Sequence, residues 1–321
     1  MTEQNKLVLR INELFHDFEQ INYDKKHTDI FIGESGRWKN TGKIILKNRP
    51  SPISIVDIGC GTGFVPMQIC DLLQAQDTFI CSDISEKMLA VCKEKIAQRK
   101  FLCDFKFIKS DGFSLNLKDE SIDVVTMNSV LHHIPDFTPF FNEINRILKV
   151  DGLLIIGHEP NSLFFKNSFL WYNHRIIFLL VNPAQLIISI FGKTGLFKIM
   201  QRIYRKINTK NSDYQKIVQK INTCLLNEGL VHENLSYEKI MELIDIQSPT
   251  AGKISKEKKG IDIASIPKKY LDNFKIEIIE TYNHIPRINN KNILIKKYSD
   301  ILRRVFPDKG ATFFVVLKKY K

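Results

Sequence analysis

The chain has 321 residues, 44% hydrophobic and 26% charged, enough apolar side chains to build one large globular domain or two small ones. That balance excludes a disordered, collagen-like or disulfide-stapled chain. Its 47 Lys and Arg against 35 Asp and Glu leave a net charge of +12, so nucleic acid, an anionic membrane and an acidic substrate all enter as candidate partners. The charge is unevenly placed: residues 1–160 carry 19 basic and 22 acidic side chains, residues 161–321 carry 28 and 13. The six cysteines (Cys60, Cys70, Cys81, Cys92, Cys103 and Cys224) include no CxxC pair and no His-Cys cluster, so no metal site or redox motif is read. A reducing cytoplasm is the expected compartment. The N-terminus has early acidic residues and no uninterrupted apolar run, which predicts an amphipathic first helix and not a secretory signal.

A turn-like Arg49–Pro52 leads into Ile53–Ile58, a β-branched apolar run followed by three glycines within five positions, which predicts a buried strand entering a tight turn. Phe64–Gln74 follows with apolar Val65, Ile69, Leu72 and Leu73 at helical spacing and Pro66 in the first turn, where proline is tolerated. Thr78–Ser82 is a second strand ending at Asp83, and Ser85–Arg99 a helix with Ser85 as its N-cap. Phe105–Lys109 is a third strand ending near Asp111, Ile122–Met127 a fourth ending at Asn128, Phe137–Leu148 a helix, and Leu153–Gly157 a fifth strand ending at His158-Glu159. Strands and helices alternating at this spacing predict a parallel sheet whose ligand lies over the carboxyl ends of the strands.

The glycine loop reads V-D-I-G-C-G-T-G-F from Val56 to Phe64. The dinucleotide fingerprint G-x-G-x-x-G fails because the third glycine comes one residue early, and a Walker loop fails for want of Gly-Lys-Ser/Thr. Taken with Asp83, with Asp111-Gly112, and with the segments Ser121–Pro135 and Asn142–Gly157, the loop resembles the class I S-adenosylmethionine-dependent methyltransferases, in the small-molecule and lipid branch. The resemblance implies an α/β fold: a Rossmann-like, doubly wound, seven-stranded sheet with the last strand antiparallel. Phe274–Tyr282 and Thr312–Lys318 would be strands six and seven, with Asn292–Val305 the helix between them. It implies S-adenosyl-L-methionine as cofactor, held by Tyr23, Asp57, Gly59, Cys60, Gly61, Gly63, Asp83, Ile84, Asp111, Gly112, Asn128 and Val130. Asp83 would accept from the ribose hydroxyls, Asp111 would meet the adenine amine, and Asn128 would shape the methionine end. Arg37 and Trp38 are candidates for an N-terminal cap over the site, as are Asp24 and His27 beside Tyr23.

Methyl transfer from a sulfonium is an in-line displacement served chiefly by positioning, and a general base helps only a protonated acceptor such as a hydroxyl. Strand ends place the base candidates at His158, Glu159 and His284, with His133 behind them; His132 and His133 are weighted toward structural or cofactor-shaping roles, since neighbours on a helix do not share a face. About 110 residues separate strands five and six, too many for a connection, and predict a helical insertion or lid. The resulting division is 1–49 as a helical cap, 50–160 as the cofactor-binding core, 161–272 as the insertion and 273–321 as the strands that complete the sheet.

The insertion opens with apolar Ser162–Phe191, interrupted by His174-Arg175 and Asn182-Pro183, so no stretch is long enough to span a bilayer. Gly195–Asn208 reads as a basic amphipathic helix, and Lys253–Lys259 as a charged loop. Residues 164–210 are therefore a candidate surface for an anionic membrane, against the plainer alternative of a stripe packed on the core. The expected function is methylation of a small-molecule or lipid-like acceptor, preferentially on oxygen, by a cytoplasmic enzyme with a candidate membrane-binding surface. An RNA methyltransferase, or a cofactor-binding module without turnover, is the alternative; nucleic acid ranks second because no motif with interleaved stacking aromatics is present.

Overall fold

The structure is a computed structural model and describes residues 1–46, 52–181, 209–248, 260–286 and 293–320. Most of the Arg49–Pro52 turn, the apolar run beyond Val181, the basic helix Gly195–Asn208 and the charged loop Lys253–Lys259 lie outside the described residues. Contacts divide the chain into two compact units: residues 1–160, 242–280 and 313–321 form the first, and residues 161–241 and 281–312 the second.

The first unit is built on a seven-stranded sheet. Its strands are β1 (Ser54–Ile58), β2 (Thr78–Asp83), β3 (Asp104–Lys109), β4 (Ile122–Asn128), β5 (Leu148–Pro160), β6 (Phe274–Tyr282) and β7 (Thr312–Lys319), in the order β3-β2-β1-β4-β5-β7-β6. β3-β2-β1-β4-β5 is parallel throughout. Backbone bonds from Tyr320 to Asn273 and from Ala311 to Asn283 pair rising with falling numbers and make β7 antiparallel to β6. Strands covered on both faces are buried along their length, and six of the seven residues of β4 are buried; of these, Asp123 accepts from Ser54 N at 2.8 Å and Thr126 donates to Asp57 Oδ1.

Three helices precede the sheet: α1 (Glu3–Glu19), α2 (Tyr23–Lys26) and α3 (Thr28–Leu46). The helix expected over Phe64–Gln74 is shorter, α4 (Pro66–Ile69) running into one 3₁₀ turn. The Asp77 carboxylate shortens it by accepting from Gln74 N at 2.6 Å and Ile53 N at 3.1 Å, which draws the chain back to the edge of β1. Ser85 caps α5 (Glu86–Ala97) as expected, its hydroxyl accepting from Met88 N. α6 (Phe137–Ile147) buries Phe140, Phe141, Ile144 and Ile147 at three- and four-residue steps against the strands. β5 is longer than the expected Leu153–Gly157 because its start pairs with β4 across an irregularity between Ile122 and Val124. Residues 242–280 belong to this unit because Ile261, Ile263, Ile266 of α11 (Ser265–Tyr270), Leu271 and Phe274 join the same apolar cluster.

The second unit holds α7 (Ser162–Lys166), α8 (Ser168–Val181), α9 (Thr209–Asn227) and α12 (Ile293–Val305); α10 (Tyr237–Ile244) crosses from one segment to the other. Phe164, Leu170, Ile285, Leu302 and Ala311 form its core. No helix among the described residues is long and apolar enough to cross a membrane.

Candidate functional site

The loop after β1 makes a sharp turn with Gly59, Gly61 and Gly63 all at positive φ. A Cβ at Gly59 would stand 2.5 Å from Val130 Cγ2, so that position admits no side chain. At Gly61, φ +53°, a Cβ would meet nothing within 4 Å: the backbone borders open space. The Gly61 N–H donates to Asp83 Oδ2 at 2.8 Å and the Ser85 N–H to Oδ1 at 2.9 Å, which fixes a carboxylate only 7% exposed. A carboxylate has about four acceptor positions, so two remain for a ligand. Burial raises the Asp83 pKa, opposed by the Ser85 N–H, His16 and the Gly61 N–H.

This carboxylate lies in a cleft of roughly 700 Å³, partly open to solvent, that runs over the strand ends in sheet order. β3 contributes Ser110, Asp111 and Gly112; β2 contributes Asp83 and Ile84; β1 contributes Ile58, Gly59 and Gly61; β4 contributes Asn128, Ser129 and Val130. Asp111 Oδ1 accepts from Phe113 N at 2.9 Å. The other wall comes from α1, through Leu9, Asn12 and His16, and from Tyr23. Ser85 donates to Asp17 Oδ1 at 2.6 Å and Lys109 pairs with Glu13 at 2.8 Å, which ties α1 over the ends of β2 and β3. α2 is tied to the glycine loop by Asp24, which accepts from the Thr62 hydroxyl at 2.6 Å and pairs with Lys95.

Beyond β4 the chain turns through Ser129 at φ +60°, a conformation that costs a non-glycine residue about 1–2 kcal/mol. Glu159, fully buried, holds that turn: its carboxylate accepts from the N–H groups of Val130, Leu131 and His132 and from His132 Nδ1 at 2.8 Å. Burial disfavours charge on His132, but the Glu159 carboxylate outweighs it and raises the His132 pKa. His133 is driven the other way, well below the ordinary 6.5, by burial and then by the neighbouring His132. A carbonyl can only accept, so His133 Nδ1 must donate to Ile244 O at 2.8 Å; neutral His133 therefore carries its lone pair on Nε2. His133 lines the cleft and meets His16 edge to face, with ring centroids 5.3 Å apart.

Nine of the twelve expected cofactor residues line this one cleft: Tyr23, Gly59, Gly61, Asp83, Ile84, Asp111, Gly112, Asn128 and Val130. Asp57, Cys60 and Gly63 do not. Asp57 points into the core, where Thr126 donates to Oδ1 at 2.8 Å and burial pushes its pKa well up. Cys60 is buried beneath the loop, its sulfur within 4.8 Å of those of Cys81 and Cys92, a convergence that linear cysteine spacing does not reveal. Gly63 turns against Cys92, whose sulfur would lie 2.9 Å from a Cβ there.

Of the base candidates, only His133 reaches the cleft. Glu159 is committed to the turn. His158 faces Glu34 at 3.2 Å, and His284, in the second unit, donates to Phe306 O at 2.8 Å. The rings of His132 and His133 do lie side by side, with centroids 4.0 Å apart, because the segment is a single 3₁₀ turn and not an α-helix. Arg37 forks onto Glu280, and Trp38 donates to Asn128 Oδ1 at 2.8 Å, so Trp38 orients a cleft residue without lining the cleft. The α1 wall was not expected from sequence; its signal is polar Asn12 and His16 set among apolar Ile11, Leu14 and Phe15, in register with Leu9 at i, i+3 and i+7.

A buried carboxylate with two acceptor positions left, a loop backbone bordering open space, and apolar Ile84, Met88 and Ile134 suit a cofactor that carries a nucleoside. The family model described as "Methyltransferase domain" matches residues 56–156. The chain is similar to the demethylmenaquinone methyltransferase of Lactiplantibacillus plantarum, 26% identical over 216 residues, covering 66% of this chain and 86% of the relative. It is also similar to the demethylmenaquinone methyltransferase of Staphylococcus haemolyticus, 26% identical over 218 residues, covering 67% and 83%. A solved structure of a "putative S-adenosylmethionine dependent methyltransferase from Listeria monocytogenes" aligns at 12% identity with a TM-score of 0.46, covering 90% of this chain and 99% of that one.

Proposed function

This chain belongs to the class I S-adenosylmethionine-dependent methyltransferases, and from that premise we propose that it methylates a small, lipid-like acceptor bearing a hydroxyl group. The observation that carries the site is the single cleft in which Asp83, Gly61, Asp111 and Asn128 converge over four neighbouring strand ends. In that arrangement Asp111 serves the adenine, Asp83 the ribose, and Asn128, held by Trp38, the methionine end. When bound, the cofactor supplies an activated methyl group, so the protein's main task is to position the acceptor.

The acceptor end is then the side of the cleft formed after β4, where His16, Tyr23 and His133 present aromatic rings to a flat molecule. Neutral His133 is placed to take the hydroxyl proton through Nε2. A deprotonated hydroxyl activates its own oxygen, and oxygen is the atom we assign; a conjugated ring carbon is the competing position. The names of the relatives direct the choice of first substrate to demethylmenaquinone and similar lipid-like quinols.

The test is to incubate the protein with cofactor labelled in its methyl group and, separately, a reduced demethylmenaquinone, a panel of hydroxylated aromatic lipids and total RNA. Label in an organic-extractable product of one added methyl supports the proposal, and the product's NMR spectrum identifies the atom methylated. Label confined to RNA overturns it. Tight cofactor binding with no labelled product from any of these acceptors would favour a module without turnover.

A further inference from the structure

The second unit carries 18 Lys and Arg against 6 Asp and Glu over its own segments, whereas the first unit has 29 of each; the whole net charge of +12 therefore resides in the second. The same unit exposes apolar side chains in a pattern. α8 turns Leu170 inward and presents Phe169, Tyr172, Ile176 and Leu180 outward at i, i+3, i+7 and i+11, each more than half exposed, with exposed Arg175 flanking that stripe. α12 buries Leu302 and exposes Leu294, Ile301 and Val305 at i, i+7 and i+11, with exposed Lys297 and Arg304 alongside that stripe and Lys296 and Arg303 beyond it. Leu170 and Leu302 share one core cluster, and Phe169 meets Phe306 at 5.8 Å between ring centroids, so the two helices belong to one packed layer.

We propose that the outer faces of α8 and α12 together form a docking surface for an anionic lipid bilayer. An apolar stripe edged by lysine and arginine on one helix is the form that lies in a membrane interface, with apolar side chains among the acyl chains and cations at the headgroups. Basic residues alone would be a solvated face. An apolar face alone would suit a second copy of the chain, but two such units brought face to face would oppose +12 with +12. The combination selects a partner that is both apolar and negatively charged. α8 lies within the 164–210 stretch read from sequence as a candidate membrane surface, and α12 lies outside it; the surface stands independently of the methyl-transfer reading, although a bilayer is where a lipid-like acceptor resides.

The experiment is cosedimentation of the full chain with phosphatidylcholine vesicles, with and without phosphatidylglycerol, at low and high salt. The expected result is retention on the anionic vesicles, much weaker retention on the neutral ones, and partial release by salt. Lys297→Gln and Arg304→Gln should each lower the partition coefficient about fivefold, and the pair roughly 25-fold. Ile301→Glu with Val305→Glu should abolish binding. Affinity for S-adenosylhomocysteine, measured on every variant, should be unchanged, which shows that the fold survives and separates this proposal from the catalytic one. Absence of binding to anionic vesicles, equal binding to neutral ones, or parental binding by the double glutamate variant would overturn it. So would a dimer, seen by light scattering, that the glutamate substitutions dissolve while vesicle binding is absent.

Discussion

Alanine at position 83 should remove most of the cleft's affinity for S-adenosylmethionine while leaving a folded protein. The Asp83 carboxylate accepts from the backbone of Gly61 at 2.8 Å and of Ser85 at 2.9 Å, and these two bonds aim its remaining acceptor positions at the ligand. A hydrogen bond to a charged group contributes about 1.5–3 kcal/mol, so two bonds from ribose hydroxyls amount to about 3–6 kcal/mol, or roughly 10²- to 10⁴-fold in Kd. The substitution also strands two backbone donors at about 1–3 kcal/mol each, partly offset because the native state no longer holds a carboxylate whose pKa burial has raised. Asp83→Asn keeps the shape and one acceptor oxygen and should fall between. Calorimetric titration with S-adenosylhomocysteine gives the affinity, and a thermal melt without ligand gives the stability. An alanine variant that binds within about twofold of the parent would refute the assignment of Asp83 to the ribose.

Gly61→Val should weaken cofactor binding more than it weakens the fold, because the new side chain enters open cleft at a backbone φ of +53°, a strain of about 1–2 kcal/mol; Gly59→Val, forced against Val130, should instead lower the melting temperature. The folding stability that neutral His16 and His133 contribute should decline in mild acid. His16 and His133 both have pKa values held below the ordinary 6.5, so the unfolded chain protonates first, and the stability present above about pH 6.5 is lost as pH falls toward the depressed values. His132, Asp57 and Asp83, whose pKa values are raised, act in the opposite direction, so the test is a difference: the change in urea midpoint from pH 7.5 to 5.5 should be less negative in His133→Asn than in the parent. The same variant should lose turnover with a hydroxylated acceptor by about 10²- to 10⁴-fold, with cofactor affinity nearly intact, as single-turnover and binding measurements would show. Glu159→Ala breaks a buried pair and the acceptor for three N–H groups, and should cost about 3–5 kcal/mol by urea denaturation. Ile147→Ala, at a fully buried core position, should cost about 2–5 kcal/mol without altering the intrinsic affinity of the folded site.

The part of the cleft over the ends of β1, β2 and β3 was legible in sequence because it depends on strand ends and a glycine turn. A strand that runs into Gly59, Gly61 and Gly63, and acidic residues at the ends of β2 and β3, occupy positions that sheet topology places side by side. Asp57 and Cys60 sit within the same motif yet face the core, since neighbouring positions on a strand or tight turn point in opposite directions and composition alone does not say which way. The side of the cleft after β4 was harder to read. Glu159 at the end of β5 had the residue type and strand-end position of a base, but a contact 27–29 residues away in sequence commits it to the turn after β4. His133 has that same contact to thank for its direction: the 3₁₀ turn that Glu159 holds is what sends it into the cleft. The α1 wall also arises from long-range ties, Ser85 to Asp17 and Lys109 to Glu13, which helical periodicity does not report. Charge behaved differently: the split between the two halves of the sequence sharpens to net zero and +12 once the packing units are known.

A crystal structure of the chain with S-adenosylhomocysteine tests most directly whether the cleft over the ends of β3, β2, β1 and β4 holds the cofactor. The prediction is a ribose with both hydroxyls within hydrogen-bond distance of Asp83, adenine beside Asp111 and Gly112, and the sulfur toward Asn128 and His133. A ligand bound elsewhere, or bound in this cleft with its ribose away from Asp83, would contradict it.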